Sequence, residues 1–429
     1  MDAKSNGGMI CRRFVAAAIS AGILAALPLD APASTSPADV VKVRTCAAIS
    51  ARVDALSGDG PVFLRSYDGA RGSGEPEMPA LHTAAFVYDN ALAVIALLGC
   101  GKPAQAARVG EALRIAVTTD TRLRNAYRAG RADAKALPNG WWGAKENRWI
   151  EDAYQQGSAT GNVAWAGLAM LALYDTKPEA RWHDAASKLA DWIIANASSG
   201  DGSDGFDGGI EGFDASPRKV GWKSTEHNVD VFALCDSLSR ITVDAPLREK
   251  WQKCTSSAWR FIEAQWDAAD GHFVVGTLVD GRTPNRKNSG LDAQLWTQIL
   301  PAAKGEWRRA LAFVEREHAV PGGFDFNTDR DGLWLEGNAQ AALVYRVLGR
   351  DAEADRLLAT IAGQFGTGGL VYATREPRIT TGLAISGDSP SADFYYYRLP
   401  HLGATAWAAL AATKRNPFVL SQDAISPQK

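Results

Sequence analysis

The feature that most constrains the fold is an alternation of two kinds of helix-like segment along 429 residues. One kind is rich in alanine and apolar on every side, as in ATGNVAWAGLAMLAL and LPHLGATAWAALAA. The other kind, as in PAQAARVGEALRIAV and RDAEADRLLATIAGQF, has one apolar face and one charged face. A helix that is apolar all round is buried, whereas a helix with a charged face meets water. The alternation therefore predicts an inner and an outer set of helices.

The apolar segments recur six times, at intervals of 46 to 73 residues. Residues near their starts are Asp89, Asn162, Asn228, Asp292, Asn338 and Gly403. With ADVVKVRTCAAISARVDAL as the sixth amphipathic segment, the count and order predict an all-α (α/α)6 toroid of six helical hairpins. An open helical solenoid is the main alternative, but its repeats would be shorter, roughly 34 to 47 residues, and more regular.

Long insertions rich in glycine and aromatic residues precede the inner segments. Examples are LPNGWWGAKENRWIEDAYQQGS and SSGDGSDGFDGGIEGFDASPRKVGW. In a toroid these insertions lie at one mouth, and loops gathered on a rigid scaffold are where a site is usually built. We therefore expect any active site at that mouth.

The amino terminus resembles an export signal. Arg12 and Arg13 precede the apolar run FVAAAISAGILAALPL, and the small residues APA end at Ala33. We expect a signal peptide over residues 1–33, a single catalytic domain over 34–418 and a tail over 419–429. The general secretory and twin-arginine routes both remain open. The expected location is periplasmic or secreted, and the mature protein should carry no membrane span because no later apolar run reaches about 18 residues.

Four cysteines remain once the leader, with Cys11, is removed: Cys46, Cys100, Cys235 and Cys254. In an oxidising compartment an even number favours two disulfides, although four buried thiols are the alternative. Cys235 and Cys254 flank the turn near VDAPLREK, where two antiparallel helices would bring them together. In the toroid, Cys46 lies on the first outer helix and Cys100 ends the next inner helix, so this pair is equally reasonable.

Charge and motifs exclude several functions. The net charge is -2 and no basic run is present, so a nucleic-acid partner is not expected. The sequence contains no G-x-S-x-G, P-loop, H-E-x-x-H or paired C-x-x-C motif, which removes serine-hydrolase, nucleotide and classical zinc chemistry. The 14 tryptophans and 10 tyrosines supply rings that stack on sugars or fill a core. We expect a monomer without a cofactor.

Four inner segments, each with an acidic residue near its start, resemble the six-hairpin glycosidase superfamily. They are YDNALAVIAL, STEHNVDVFAL, LDAQLWTQIL and WLEGNAQAALVY, and the hairpin rhythm extends the resemblance over nearly the whole mature chain. The resemblance implies an (α/α)6 barrel that acts on carbohydrate. Glycoside hydrolysis needs one protonated carboxyl and a second carboxylate that activates water or attacks the sugar. We therefore expect an exported glycoside hydrolase that cleaves an oligo- or polysaccharide with inversion.

The acidic residues near these helix starts are the candidate catalytic groups. Glu226 and Glu336 each follow shortly after a tryptophan, and we expect them to form the acid and base pair, with Asp292 and Asp89 as further candidates. Each could instead only stabilise the start of its helix, where a carboxylate is favoured by the helix dipole. The residues expected to contact the sugar are Tyr88, Trp141, Trp142, Trp222, His227, Trp296, Trp334 and Tyr396. His227 could equally be a core histidine.

Two other functions remain open on the same fold. A polysaccharide lyase or sugar epimerase would transfer protons through His227, a tyrosine among residues 395–397, or His401. A lyase acting on uronates would also need cations, for which the candidates are Arg282, Arg286, Lys287 and Arg398. A noncatalytic glycan-binding protein is the third possibility.

The loop FDFNTDRDG is the main candidate for a metal site. Asp325, Asn327, Asp329 and Asp331 alternate as in a calcium loop, but the required glycine and terminal glutamate are misplaced or missing. Calcium at this loop or at DGSDGFDGG is therefore a lesser alternative. We expect a solvated acidic turn.

Overall fold

Thirteen α-helices are found in the computed structural model, which describes residues 36–69, 78–384 and 393–420. They are α1 (Pro37–Asp54), α2 (Val87–Gly99), α3 (Pro103–Thr119), α4 (Ala153–Gln156), α5 (Thr160–Thr176), α6 (Ala180–Ala197), α7 (Thr225–Ile241), α8 (Ala245–Ala264), α9 (Leu291–Trp296), α10 (Arg309–Glu317), α11 (Leu335–Val347), α12 (Asp351–Ala362) and α13 (Leu402–Thr413). The expected signal peptide and most of the expected tail lie outside the described residues, and the domain boundaries stay a prediction.

Twelve of these helices form two concentric rings, α4 being a single turn. The inner ring is α2, α5, α7, α9, α11 and α13, in which each helix packs against the next and α13 packs against α2. The outer helices are α1, α3, α6, α8, α10 and α12, and each packs against an inner helix. The closing contact between α13 and α2 distinguishes a toroid from an open solenoid. The predicted (α/α)6 fold is confirmed.

Local sequence explains where the helices start and stop. Pro37 occupies the first turn of α1 behind the capping side chain of Ser36, and Asp244 caps α8 in the same way. The inner helix α9 is only six residues long and continues as a 3₁₀ turn over Thr297–Ile299. Pro301 forces the preceding residue into the extended conformation, so the helix cannot continue. No helix in the described part of the chain has the length and apolarity of a membrane span.

Short antiparallel strands fill the connections ahead of the inner helices. They are β1 (Val62–Phe63), β2 (Ala84–Phe86), β3 (Ala126–Arg128), β4 (Gly130–Arg131), β5 (Trp141–Gly143), β6 (Arg148–Ile150), β7 (Ser158–Ala159), β8 (Gly209–Glu211), β9 (Arg218–Val220), β10 (Trp266–Asp267), β11 (His272–Phe273), β12 (Ala319–Val320), β13 (Gly323–Phe324), β14 (Arg378–Ala384) and β15 (Asp393–Tyr397). The pairs are β1–β4, β2–β3, β5–β6, β10–β11, β12–β13 and β14–β15, with one three-stranded sheet, β7–β8–β9. Each connection runs from an outer helix to the next inner one, so the strands gather at one mouth, as expected for the loops.

Both predicted disulfides are present. Cys46 on α1 is bonded to Cys100, which caps the end of α2, and Cys235 on α7 is bonded to Cys254 on α8. Each bond ties an outer helix to its inner neighbour. The alternative of four free thiols is therefore wrong.

An aromatic cluster fills the ring below the mouth. Trp165, Trp296 and Trp407 are each the sixth residue of an inner helix, and their ring centroids lie 5.5 to 5.7 Å apart. Phe418 packs against Trp165 and Trp296. Trp296 is 1% exposed, so it has no free ring face for a sugar. The expectation that Trp296 contacts substrate is corrected: it forms the floor of the site.

Candidate active site

Four predicted acids stand in the first turns of four inner helices. Asp89 is on α2, Glu226 on α7, Asp292 on α9 and Glu336 on α11. The helix dipole favours a carboxylate at each of these positions. All four point into the mouth closely enough that the charge of one raises the pKa of another. The structure thus brings the predicted acids into one space.

His401 connects two of these acids. Its Nε2 lies 3.2 Å from Oδ2 of Asp89, and its Nδ1 lies 3.5 Å from Oε2 of Glu336. Nδ1 also accepts the backbone N–H of Ala404, which caps α13. In the neutral imidazole the proton is therefore on Nε2 and is donated to Asp89. Burial alone would lower the pKa of His401, but the charges of Asp89 and Glu336 outweigh it and raise the pKa.

Gly403 permits this close arrangement. A Cβ at this position would lie 2.6 Å from Oδ1 of Asp89, 2.9 Å from Cε1 of His401 and 3.1 Å from Oε2 of Glu336. Three polar groups therefore converge on the space that any larger side chain would occupy. The glycine near the start of α13 is a requirement of the site rather than of the helix.

Glu336 is buried but well supported. Tyr88 donates its O–H to Oε1 of Glu336 at 2.7 Å, and the indole N–H of Trp407 donates to the Tyr88 oxygen at 2.7 Å. Burial raises the pKa of Glu336 to about 7, with His401 and the Tyr88 hydrogen bond opposing the rise. Oε2 is buried and accepts no hydrogen bond from the described residues, and its charged neighbour is the imidazole of His401.

Glu226 has the opposite environment. Burial, followed by the charges of Asp292 and Glu336, raises its pKa well above the usual value, and no cation lowers it. Burial also raises the pKa of Asp292 to about 6, although Asp292 accepts the N–H of Ala293 at 2.7 Å. Glu226 keeps part of its side chain accessible, whereas Asp292 is buried. Burial and the neighbouring carboxylates thus favour the protonated form of Glu226.

Asp230 is an acid outside the four candidates. It lies one turn after Glu226 on α7 and is fully buried. Burial, then the charges of Glu226 and Asp292, raises the pKa of Asp230 well above its usual value, while the indole of Trp165 opposes the rise.

His227 is neutral at physiological pH because burial lowers its pKa to about 4. Its ring centroid lies 5.5 Å from that of Trp222, and its Nδ1 has no hydrogen-bond partner within residues 36–69, 78–384 and 393–420. A neutral imidazole with an unpartnered nitrogen can bind a sugar hydroxyl. It does not need to be charged for that role.

Aromatic rings surround the acids. Tyr396 packs 5.5 Å from Trp334 and 6.5 Å from His401, centroid to centroid. Trp334 itself is 2% exposed, so its ring supports the wall rather than presenting a free face. Tyr395 and Tyr397 pack against each other, because alternate residues of β15 face opposite sides. Of the three neighbouring tyrosines, Tyr396 is the one that faces the site.

Two tyrosines belong to the site that the sequence did not indicate. Tyr67 stacks on His401 with centroids 4.4 Å apart, and Tyr154 packs 6.5 Å from Phe86. Desolvation, followed by the charge of Glu226, raises the pKa of Tyr154 to about 12. Tyr154 precedes an inner helix within an aromatic insertion, which was a usable signal. Tyr67 lies 20 residues before the start of α2, and no local pattern marks it.

The remaining predicted aromatics lie farther out. Trp141 and Trp142 are on β5, and the Trp142 ring is largely exposed. Trp222 is partly buried beside His227. These three stand in connections that lead to α5 and α7, at the rim of the mouth.

Most of the cations proposed for a uronate are engaged elsewhere. Arg282 forms an ion pair with Asp201, and Arg286 forms one with Asp267. Arg398 donates to the backbone carbonyl oxygen of Arg375 at 2.6 Å. Among the four candidates, Lys287 is left for a substrate carboxylate, so the geometry gives little support to a uronate lyase.

The acidic loop brings three carboxylates together. Oxygens of Asp325, Asp329 and Asp331 lie within 4.8 Å of one another. Thr380 donates its backbone N–H to Asp331 and its hydroxyl to Asp329, which ties this loop to β14. Burial raises the pKa of Asp325 to about 8, so this carboxyl is largely protonated at neutral pH.

In the other candidate calcium segment, DGSDGFDGG, two carboxylates form ion pairs with arginines of the chain. Asp201 pairs with Arg282 and Asp204 pairs with Arg260. These two carboxylates stabilise the loop ahead of α7. The segment therefore offers fewer free oxygens than its sequence suggested.

No known family model matches the chain, and no curated protein matches it in sequence. Solved structures do match its fold. A glycosidase variant superposes with a TM-score of 0.60 at 12% identity, over 88% of this chain and 97% of that one. An alpha-amylase from Clostridium perfringens gives 0.58 at 9% identity, over 87% and 97% of the two chains. Cellobiose 2-epimerase from Bacillus thermoamylovorans superposes with a TM-score of 0.55 at 10% identity, over 86% of this chain and 98% of that one. The chain therefore shares the (α/α)6 toroid fold of these solved structures.

Proposed function

We propose that this protein is a glycoside hydrolase that cleaves an oligo- or polysaccharide with inversion, with Glu226 as general acid and Glu336 as general base. The observation that carries the proposal is the contrast between two glutamates that share one mouth: Glu336 has a tyrosine hydroxyl and a histidine beside it, whereas Glu226 has neighbouring carboxylates. Paired carboxyls whose environments separate their pKa values are the usual acid and base of a glycosidase. The glycosidase and amylase neighbours support a sugar substrate.

Glu226 is suited to protonate the leaving oxygen. Burial, followed by the charges of Asp292 and Glu336, raises its pKa and so favours the protonated form that a general acid needs. Its partly accessible side chain can reach a glycosidic oxygen. Asp292 contributes by its charge: if it is neutralised, the proton on Glu226 becomes easier to lose.

Glu336 is suited to activate water. The Tyr88 hydroxyl stabilises its anion, as does His401 when its imidazole is protonated, and its Oε2 has no hydrogen-bond partner among the described residues. With a pKa near 7 it is ionised in a large fraction of molecules at neutral pH. Asp89 holds His401 in place, so it acts through the imidazole rather than on the sugar.

The test compares Glu226→Gln, Glu336→Gln and the control Glu249→Gln, whose side chain is exposed on outer helix α8. On a panel of oligosaccharides, both site variants should lose at least about 100-fold in kcat/KM while the control keeps its activity. A glycoside with an activated aryl leaving group should restore much of the rate of Glu226→Gln and little of Glu336→Gln, because it needs no protonation. The anomer formed first, followed by NMR, reports inversion. Full activity of both site variants would refute the assignment.

Sugar epimerisation is the second candidate, and the observation in its favour is the Asp89–His401–Glu336 arrangement. A histidine held between two carboxyls can move a proton to and from a sugar carbon. Two structural neighbours are sugar epimerases. Incubation in D₂O separates the functions: an epimerase places deuterium on carbon and keeps the glycosidic bond, whereas a hydrolase releases a new reducing end.

We also propose that the protein is exported to the periplasm or medium. The two disulfides fit an oxidising compartment, where such bonds persist. Fractionation of expressing cells, with sequencing of the mature amino terminus, tests this. A mature chain that begins just after Ala33 in the exported fraction is the expected result, and an unprocessed cytoplasmic protein would contradict it.

A further inference from the structure

We infer that the β5–β6 hairpin carries an outlying binding site for a carbohydrate chain, formed by Trp142 and Trp149. This inference rests on the proposed function and names its substrate class more closely: a chain long enough to reach from the acids to the hairpin.

The two indoles stand together in water. Trp142 pairs directly with Trp149 across the hairpin, and opposite residues of an antiparallel pair project from the same face. Their exposed fractions are 59% and 41%, the two highest among the aromatic residues in the described part of the chain. Neighbouring exposed rings of this size mark a binding surface more often than chance.

Trp149 is held in place by its neighbours, and the base of the hairpin is hydrogen-bonded to the rest of the mouth. The guanidinium of Arg128 lies 4.7 Å from the ring centroid of Trp149, so one face of that indole is covered. Gly140 lies so close that a Cβ would come within 2.5 Å of Nε1 of Trp149. At the base of the hairpin, Asn139 donates to the backbone oxygen of Ala80 and to the side chain of Gln155. A preformed platform binds with little entropic cost.

The chemistry of the surroundings fits a sugar. Exposed polar side chains lie near the two rings: Lys145 and Glu146 in the turn of the hairpin, and Arg148 at the start of β6. A sugar ring has an apolar face for an indole and hydroxyl groups for such a border. A stable protein partner would need about 800 Å² on each side, with an apolar centre larger than two side chains provide.

The hairpin leads directly to the acids. Tyr154 follows Trp149 by five residues, a stretch of at most about 18 Å. Tyr154 is 37% exposed and packs against Phe394, and its pKa is raised by burial and then by the charge of Glu226, so it lies near the acids. A chain bound at the acids can therefore extend past Tyr154 onto the two indoles.

The test uses the variant Trp142→Ala/Trp149→Ala and malto- and cello-oligosaccharides of two and six units. The expected result is that the ratio of kcat/KM for the six-unit to the two-unit chain falls about tenfold, through KM. Val243→Ser is the control, since it removes an 89% exposed apolar side chain from the far end of the barrel and should leave the ratio unchanged.

Binding is measured separately from turnover. Titration of the six-unit chains into Glu336→Gln, followed by tryptophan fluorescence, should show binding that weakens about tenfold when both indoles are removed. This readout holds even if no glycan is hydrolysed, a result that would refute the proposed hydrolase alone. Equal losses on both chain lengths, unchanged binding in the double variant, or no binding of either six-unit chain would overturn the inference.

Discussion

Replacing Tyr88 by phenylalanine tests the role of Glu336 directly. The Tyr88 hydroxyl donates to Oε1 of Glu336 at 2.7 Å and thereby favours the anion of a carboxyl whose pKa is about 7. Loss of this hydrogen bond raises the pKa of Glu336. If Glu336 is the general base it must be ionised, so kcat/KM rises with pH through this pKa. Tyr88→Phe should then move the acidic limb of the pH profile to higher pH.

The size of the shift follows from one hydrogen bond. A hydrogen bond to a charged group contributes about 1.5–3 kcal/mol, and 1.36 kcal/mol corresponds to one pKa unit. His401 still supports the anion at 3.5 Å, so we expect a shift of about one unit, near the lower end of that range. At a pH below the limb kcat/KM should fall about tenfold, and above it the two enzymes should converge.

The assay is kcat/KM from pH 5 to 10 on the best glycan substrate, with Tyr345→Phe as control. Tyr345 also donates to a glutamate, Glu315, at 2.9 Å, but this pair lies away from the site between α11 and α10. The control should leave the limb in place. A shift of the alkaline limb alone would show that Glu336 is the acid, and an unmoved profile would refute the coupling through Tyr88.

Three further outcomes are expected. Gly403→Ala should raise the activation free energy, calculated from kcat/KM, by about 1–3 kcal/mol, and should lower the free energy of unfolding by less, because the added Cβ would meet only site groups. Kinetics and urea melts measure the two effects. Removing the Cys46–Cys100 bond, which encloses 54 residues, should cost about 4 kcal/mol of unfolding free energy, and a loss below 1 kcal/mol would contradict the chain-entropy argument. Burial raises the folded-state pKa of Asp325 to about 8, so the stability that its protonated form contributes is lost as the pH rises through that value. The free energy of unfolding should therefore fall less between pH 5 and pH 8 in Asp325→Asn than in the wild type, as measured by denaturant melts at the two pH values.

The helical architecture could be predicted from the sequence because buried helices differ in composition from helices that face water. Segments such as ATGNVAWAGLAMLAL lack a charged face, and the structure buries α5 almost throughout. The twelve-helix order and both disulfides followed from this alternation. The strands in the connections did not, because all of them except β14 and β15 are two or three residues long and carry too little pattern. The short α9 follows from Pro301, a signal that was present in the sequence but not used.

The site was predictable only in part. Glu336 and Asp89 stand in the first helical turns, which the sequence marks, and the structure places them in the mouth. The floor position of Trp296 depends on its depth along α9, which a helix-start argument does not consider. Tyr67 reaches His401 only because the ring closes, a contact between residues 334 apart that no local pattern encodes.

Ring closure has a consequence for biosynthesis. Asp89 and His401 are separated by 312 residues, so the centre cannot assemble until nearly the whole chain has been made. At about 5–20 residues per second, that interval is roughly 15 to 60 s. The first hairpin can be locked much earlier by Cys46 and Cys100, only 54 residues apart. Sugar turnover would therefore begin only after the last step in the folding of the chain. A shortened product that lacks α13 would be inactive however well its first helices had folded.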